Sequence, residues 1–504
     1  MTIESGKVYL VGAGPGDPGL MTMRGRDLVQ NADAILYDRL VATQILAAAR
    51  PDADLIYVGK QPGRPSVPQD EINALLIAKA RAGLSVVRLK GGDPFLFGRG
   101  GEEALAVTEA EIPYEVVPGI TAGIAATAYA GIPVTHRGRA AAVAFVTGHE
   151  DPEKPPDVGE VDWQALARFP GTLVLYMGIG NLPRLAAELV AAGRDEHEPV
   201  TIIERGTTPL QRSIAFTLSE LTTEPDRFDV KPPAVVVIGR VGELREQLAW
   251  FERAPLFGHS VTVTRAKEQV GILAERLRKL GACVVEAPAI RVEPKLEDEA
   301  VRNMIERFAS YRLVCLTSVN GVELLFESLK SAGLDARALA QARIATIGPG
   351  TSAALRRHGI DADLVPERSV AEGLVEALEG EDLDGLPVLL ARARGGRELL
   401  PDFLRARGAE VDDVALYEST AENVTKEQAV AAAASDYVTF TSASTVRFFF
   451  EALGNTKFSA DTKAVSIGPI TTAALTERGV DRILEAAEHD ISGLIKVLLE
   501  DAAG

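Results

Sequence analysis

Short apolar runs alternate with amphipathic stretches along most of the chain, the pattern of strands and helices in an α/β fold. Residues 8–11 form a buried-strand signal that runs straight into Gly12, Gly14 and Gly16. A helix is expected over 21–30, a second strand over 33–37 ending in Asp38-Arg39, and a third over 55–58. The helical pattern of 69–82 precedes a fourth strand at 85–89, which releases KGGDPFLFGRGGEE from Lys90 to Glu103. Strand patterns at 142–147, 172–177, 199–204 and 234–238 make a second α/β half, with 213–218 alternating like an edge strand. Residues 1 to about 248 therefore read as one two-lobed α/β unit.

The pattern changes around WFERAP at 250–255, and a new strand begins at 260–264. Two units then recur in the order A, B, A′, B′. Unit A, at 260–292 and again at 387–420, is strand, basic turn, helix ending in Gly-Ala, strand. Unit B joins LVCLTSVNGVELL at 313–325 to IATIGPGTSAALRRHGI at 344–360; its second copy uses 437–449 and 464–480. Either A pairs with B as beads on a string, or A pairs with B′ and encloses the rest, with 286–294 and 414–421 as crossings. The residues leave both arrangements open.

Composition narrows the class. Apolar residues make up 46% and charged ones 25% of 504 residues, an ordinary globular balance with room for several cores. A net charge of −18 argues against nucleic acid and anionic membrane, so a polyanionic substrate would need local basic clusters. Cys283 and Cys315 lie in apolar runs without metal-ligand spacing, and no metal site is expected. Neither a leader pattern nor a spanning apolar run is evident, and the expected address is the cytoplasm.

The glycine turn is not a dinucleotide fingerprint. Its third glycine comes too early for G-x-G-x-x-G, Pro15 removes a donor, and Asp17 would face a pyrophosphate with like charge. Asp38 at a strand end is the one feature that suits a ribose, and a helix cap is its plain alternative. Gly91, Gly92 and Asp93 stand where open α/β sheets bind ligands.

In order, GAGPGDPGLMT, LYDRLV, VGK, RLKGGDPFLFGRGGEE, VPGITAGIAA, PVTHR, YMG and ERGT resemble uroporphyrinogen-III C-methyltransferase of the tetrapyrrole methylases, over residues 7–241. The resemblance implies two lobes with S-adenosylmethionine in the cleft between them, and a homodimer. Matched by motif, donor contacts fall on Pro15, Gly91, Gly92, Asp93, Leu96, Thr121, Ala122, Met177 and Gly206, and a proton-handling pair on Asp38 and Lys60. S-adenosylmethionine has no phosphate, so a loop holding Pro15 and Asp17 suits it better than NAD. The acceptor carries eight carboxylates, for which Arg64, Arg99, Arg137 and Arg139 are candidate anchors.

In the second half Thr317-Ser318, Thr351-Ser352, Thr441-Ser442 and Thr471-Thr472 follow strands and open helices, where hydroxyls and helix N-termini make anion cups; helix capping explains any single copy. Ser318, Thr351, Ser442 and Arg392, with Arg394 and Arg397 nearby, are candidate substrate contacts. The VTRA start, TSxxxV turns and IGPxT resemble uroporphyrinogen-III synthase over 258 to about 499. That resemblance implies the crossed pairing, a doubly wound parallel-sheet domain of two lobes (256–290 with 420–504, and 291–419), and functional roles for Tyr417 and Thr471. Read together, the two halves imply a bifunctional enzyme: one makes uroporphyrinogen III, the other methylates it to precorrin-2. A tetrapyrrole-binding but inactive second half, or a solute-binding module fused to a methylase, are the rival readings.

Overall fold

In the computed structural model the chain divides into two units, Met1–Gly258 and His259–Gly504. The structure describes residues 4–59, 67–148, 161–223, 229–265, 267–422, 424, 426–454 and 457–503.

The first unit carries two sheets. Strands β1 (Val8–Gly12), β2 (Ala34–Tyr37), β3 (Asp54–Tyr57), β4 (Val86–Lys90) and β5 (Tyr114–Val117) form a wholly parallel sheet ordered β3-β2-β4-β1-β5. β1 sits between two neighbours with every residue buried, which is why it reads as an unbroken apolar run. The second sheet contains β6 (Val143–Thr147), β7 (Thr172–Tyr176), β8 (Pro199–Glu204), β9 (Arg212–Thr217) and β10 (Ala234–Ile238), ordered β6-β7-β10-β8-β9. It is mixed: β6 and β7 are parallel, while β10 runs antiparallel to both neighbours and β9 antiparallel to β8.

The second unit also carries two five-stranded sheets. Its strands are β11 (Ser260–Val263), β12 (Cys283–Glu286), β13 (Ile290–Pro294), β14 (Leu313–Leu316), β15 (Arg343–Thr346), β16 (Pro387–Ala393), β17 (Glu410–Ala421), β18 (Tyr437–Phe440), β19 (Lys463–Ser466) and β20 (Ile483–Glu485). One sheet is ordered β12-β11-β18-β19-β20 and is parallel throughout; the other is β13-β17-β16-β14-β15. The first A strand thus shares its sheet with the second copy of B. The arrangement that the residues left open is the crossed one. The second of these sheets departs from the expected all-parallel pattern, because β13 pairs antiparallel with β17 from Ile290↔Ala421 to Pro294↔Tyr417. These are the two extended segments read as crossings, and pairing them satisfies backbone groups that a lone crossing strand would leave open. Cys315 is buried, and burial pushes its thiol up to about 12; Cys283 is half-buried and its thiol is also raised by burial.

Candidate active sites

The strands of the first sheet are parallel, so their loops leave at one edge. There Ala13 N–H donates to the Lys90 carbonyl (2.8 Å), and Gly14 and Gly92 exchange backbone hydrogen bonds (3.2 and 2.7 Å). Gly92 has φ +69°, and a Cβ built on it would meet only Thr121 Cα at 3.8 Å and Ala122 N at 3.9 Å. The floor between these loops is therefore open and lined by backbone. Asp93 ties the loops together: its Oδ1 accepts from Phe95 N–H (2.8 Å) and its Oδ2 from Gly119 N–H (3.0 Å).

Thr121 opens the helix Ala122–Tyr129, and its Oγ1 lies 2.6 Å from the Tyr176 hydroxyl, which also accepts from Gly123 N–H (2.6 Å). Tyr176 ends β7, so this contact joins the two sheets of the unit. Met177 follows in left-handed backbone (φ +55°) and is 53% exposed. Phe97 packs on Tyr176 with ring centroids 5.0 Å apart. Pro15 and Leu96 are half-buried, and Gly206 abuts Ala126 so closely that a Cβ would collide with it. Six described non-glycine residues have positive φ; Phe97, Arg99, Met177, Arg205 and Thr207 all fall in loops carrying expected donor residues, Glu111 alone elsewhere. Such strain clusters where function requires a particular backbone path.

Asp38 follows β2. Its Oδ1 accepts from Leu40 N–H (3.0 Å), and its Oδ2 lies 3.9 Å from Arg88 Nη2. Arg88 belongs to a buried cluster that the sequence reading missed: Glu103 Oε1 accepts from Arg88 Nε (3.0 Å), Lys90 Nζ (3.2 Å) and Gln69 Nε2 (3.2 Å). Burial, and next the Arg88 charge, hold the Lys90 ammonium below the usual lysine range. Three charges on a strand and its covering helix look like a solvated face in the sequence. Asp17, the residue that argues against a pyrophosphate, is held within the protein. Its carboxylate caps the short helix Pro18–Leu20 through Gly19 N–H (2.7 Å) and accepts from the Tyr129 hydroxyl (2.7 Å).

The candidate anchors scatter. Lys60 and Arg64 lie outside the described residues. Arg99 is exposed and paired bidentately with Glu102 (2.6 and 2.8 Å), and Arg137 is exposed on the turn before β6. Arg139 pairs with Glu243 and lines a cavity with Gly171 and Gly239, at the opposite end of β7 from Tyr176. It does not join the other site residues.

In the second unit Ser318 caps the helix Val319–Ser331 by accepting from Gly321 N–H (2.9 Å), and Tyr417, on β17, donates its hydroxyl to Ser318 Oγ (2.9 Å). Burial pushes the Tyr417 phenol up. Thr351 is buried in the first turn of Pro349–Arg357, past the end of β15. In the other sheet Ser442 caps Ala443–Leu453, and Thr471 is buried in the first turn of Pro469–Glu477. The arginines are engaged by the protein's own carboxylates: Arg392 by Asp413 (2.6 and 2.7 Å) and Glu398 (2.8 Å), Arg394 by Asp298 (2.7 Å), Arg397 by Glu372 (2.5 Å). Among the described residues no cluster of His, Cys, Asp and Glu could hold a metal ion, and no helix is long and apolar enough to cross a membrane.

The model of the tetrapyrrole (corrin/porphyrin) methylases matches residues 7–222, and that of uroporphyrinogen-III synthase HemD matches 272–496. The porphyrin biosynthesis protein HemD of Ruminiclostridium josui is 39% identical over 509 residues, covering 100% of this chain and 99% of its own. The chain belongs to this family of methylase–synthase fusions. The uroporphyrinogen-III C-methyltransferase of Bacillus subtilis is 44% identical over 67% of this chain and 69% of its own. A Thermus thermophilus uroporphyrin-III C-methyl transferase solved with S-adenyl homocysteine is 43% identical, covering 47% of this chain and 92% of its own, with a TM-score of 0.40.

As a member of the family the chain is a two-activity enzyme, an S-adenosylmethionine-dependent uroporphyrinogen-III C-methyltransferase joined to a uroporphyrinogen-III synthase. The methylase half fits that donor. Its floor at Gly92 is open and lined by backbone.

Proposed function

We propose that the second half cyclises hydroxymethylbilane to uroporphyrinogen III with inversion of the last ring. The first half then methylates that product twice to give precorrin-2. The observation that carries the reading is the gathering of Gly91–Asp93, the Thr121–Ala122 helix start and Tyr176 around one open floor, with Asp38 at the end of the neighbouring strand.

The donor supplies a methyl group on a sulfonium, and in-line transfer depends chiefly on placing. In this reading Pro15, Gly91, Gly92, Asp93, Leu96, Thr121, Ala122, Met177 and Gly206 hold it. Asp38 takes the proton that the pyrrole system must lose, its Oδ1 already fixed by Leu40 N–H. Lys60 serves as its acidic counterpart, and Arg64, Arg99 and Arg137 contact substrate carboxylates. Arg139, at the opposite end of β7 from Tyr176, and Arg392, buried against Asp413 and Glu398, are not retained as anchors.

Hydroxymethylbilane loses water from an electron-rich pyrrole without help, so the synthase half needs to hold a conformation rather than supply a strong acid or base. Tyr417 and Thr471, with Ser318, Thr351 and Ser442, present hydroxyls and helix N-termini suited to carboxylates. The methylase is taken as 1–248 and the synthase as 256–504, with the compact units themselves parting after Gly258, and the protein is taken as a cytoplasmic homodimer acting on small tetrapyrroles and not on nucleic acid. The test is purified protein with hydroxymethylbilane and S-adenosylmethionine, products resolved by mass and isomer. Dimethylated isomer III supports the reading; unmethylated product or isomer I sinks the corresponding half.

A further inference from the structure

The segment 248–252, which leads into the stretch where the sequence pattern changes, is bound back onto the first unit. Its backbone passes so close to Gly131 that a Cβ there would collide with Ala249. Trp250 donates its indole N–H to the Ala128 carbonyl (3.1 Å), and its ring lies 5.0 Å from that of Tyr129. Phe251, buried, packs on Tyr129 at 4.8 Å. The segment therefore grips the C-terminal end of the helix whose first residues are Thr121 and Ala122.

Glu252 makes the second grip. It accepts from Gln211 Nε2 (2.8 Å), from the Ser213 hydroxyl and from Arg245. Gln211 is buried, and its Oε1 accepts from Thr207 N–H (2.8 Å). Thr207 Oγ1 accepts in turn from Asp17 N–H (3.1 Å), and the Asp17 carboxylate accepts from Tyr129. Glu252, Gln211, Thr207, Asp17 and Tyr129 thus form a circuit that closes through the Trp250–Phe251 aromatic contacts. The circuit fastens three segments at once: the glycine loop with Pro15, the turn with Gly206 and the helix begun by Thr121.

We infer that Glu252 and Tyr129 are positioning residues for methyl-donor binding, holding the glycine loop and the 205–211 turn in register from outside the site. The inference rests on the donor site proposed above. Neither side chain touches the open floor at Gly92, so their effect passes through Thr207 and Asp17.

The experiment measures S-adenosylhomocysteine affinity by calorimetry, and KM and kcat for S-adenosylmethionine, in the full chain. Glu252→Ala should weaken affinity about three- to tenfold, as expected for losing one or two hydrogen bonds, with KM rising and saturated kcat little changed. Glu252→Gln keeps an acceptor for Gln211 and Ser213 and should restore most of the affinity. Tyr129→Phe, which removes only the bond to Asp17, should shift affinity the same way by less. A cooperative unfolding transition of the methylase unit near the wild-type midpoint shows that this unit is folded in each variant; should Glu252→Ala fail to fold, Tyr129→Phe and Glu252→Gln decide. Wild-type affinity in the folded Ala and Phe variants, or a Gln variant as weak as Ala, overturns the inference. A wild-type chain that binds no S-adenosylhomocysteine overturns the donor site itself, and this inference with it.

Discussion

The two halves build their candidate sites from different materials. The methylase half uses backbone: a left-handed glycine, five non-glycine residues at positive φ in the surrounding loops, and carboxylates that tie loop to loop. The synthase half has no described non-glycine residue at positive φ, and its candidate residues sit in ordinary helix starts, apart from Tyr417 on β17. The difference follows the chemistry. Methyl transfer requires a donor carbon and an acceptor carbon to meet in line, so strained loops that fix a bound donor are worth their cost. In the proposed synthase reaction the bilane loses water unaided, so the site is asked only to hold a shape, for which hydroxyls at helix N-termini would suffice. Strain therefore marks the half where distance matters most.

The sharpest break in that comparison comes at Asp38. Asp38→Asn keeps the loop bond to Leu40 available but removes the base, and should slow methylation by about 10²–10⁴-fold. S-adenosylhomocysteine affinity and isomer III synthesis should hardly change; loss of affinity would instead make Asp38 a donor contact. Next comes the buried cluster. Glu103→Gln leaves Arg88 and Lys90 without the carboxylate that both share, and should destabilise the methylase unit by about 3–5 kcal/mol in chemical denaturation. An unchanged midpoint for that unit would show that the cluster contributes nothing to folding.

A smaller effect concerns acid. Asp33 accepts from the Ser85 hydroxyl (2.6 Å) and N–H (2.8 Å) and from Arg50 (2.7 Å), and these bonds, Ser85 foremost, hold its carboxyl below the usual range. The folded pKa is depressed, so the stabilisation is complete above the unfolded value of about 3.9 and is lost as pH falls through the folded one. Unfolding of the wild type should become easier below about pH 4, and Asp33→Asn should flatten that slope. An identical slope in the variant would remove Asp33 from the account.

The parts that were legible in the sequence are those written in local signals. The 8–11 run, the glycine turn and GGD at a strand end each carry their own chemistry, and they lie where the parallel sheet puts them. Long-range pairing was not legible. Nothing local says that 290–294 and 410–421 lie side by side, because pairing is decided by strands more than a hundred residues apart. Charge was the least legible. Arg88 and Lys90 look exposed in sequence but are buried on Glu103, while Arg392, Arg394 and Arg397 look like anchors but already pair with carboxylates up to 96 residues away. A charged residue's partner is a property of the fold.

If the two halves hold separate sites of different kinds, Tyr417→Phe and Thr471→Val should damage one activity and spare the other. Each variant is given hydroxymethylbilane in one reaction and uroporphyrinogen III in another, with S-adenosylmethionine in both. From hydroxymethylbilane, isomer III formation should slow about ten- to a hundredfold, with isomer I accumulating, as expected for losing one hydrogen bond to a substrate carboxylate. From uroporphyrinogen III, precorrin-2 should form at the wild-type rate. Isomer III made at full speed by both variants, or methylation slowed as much as cyclisation, would contradict the account.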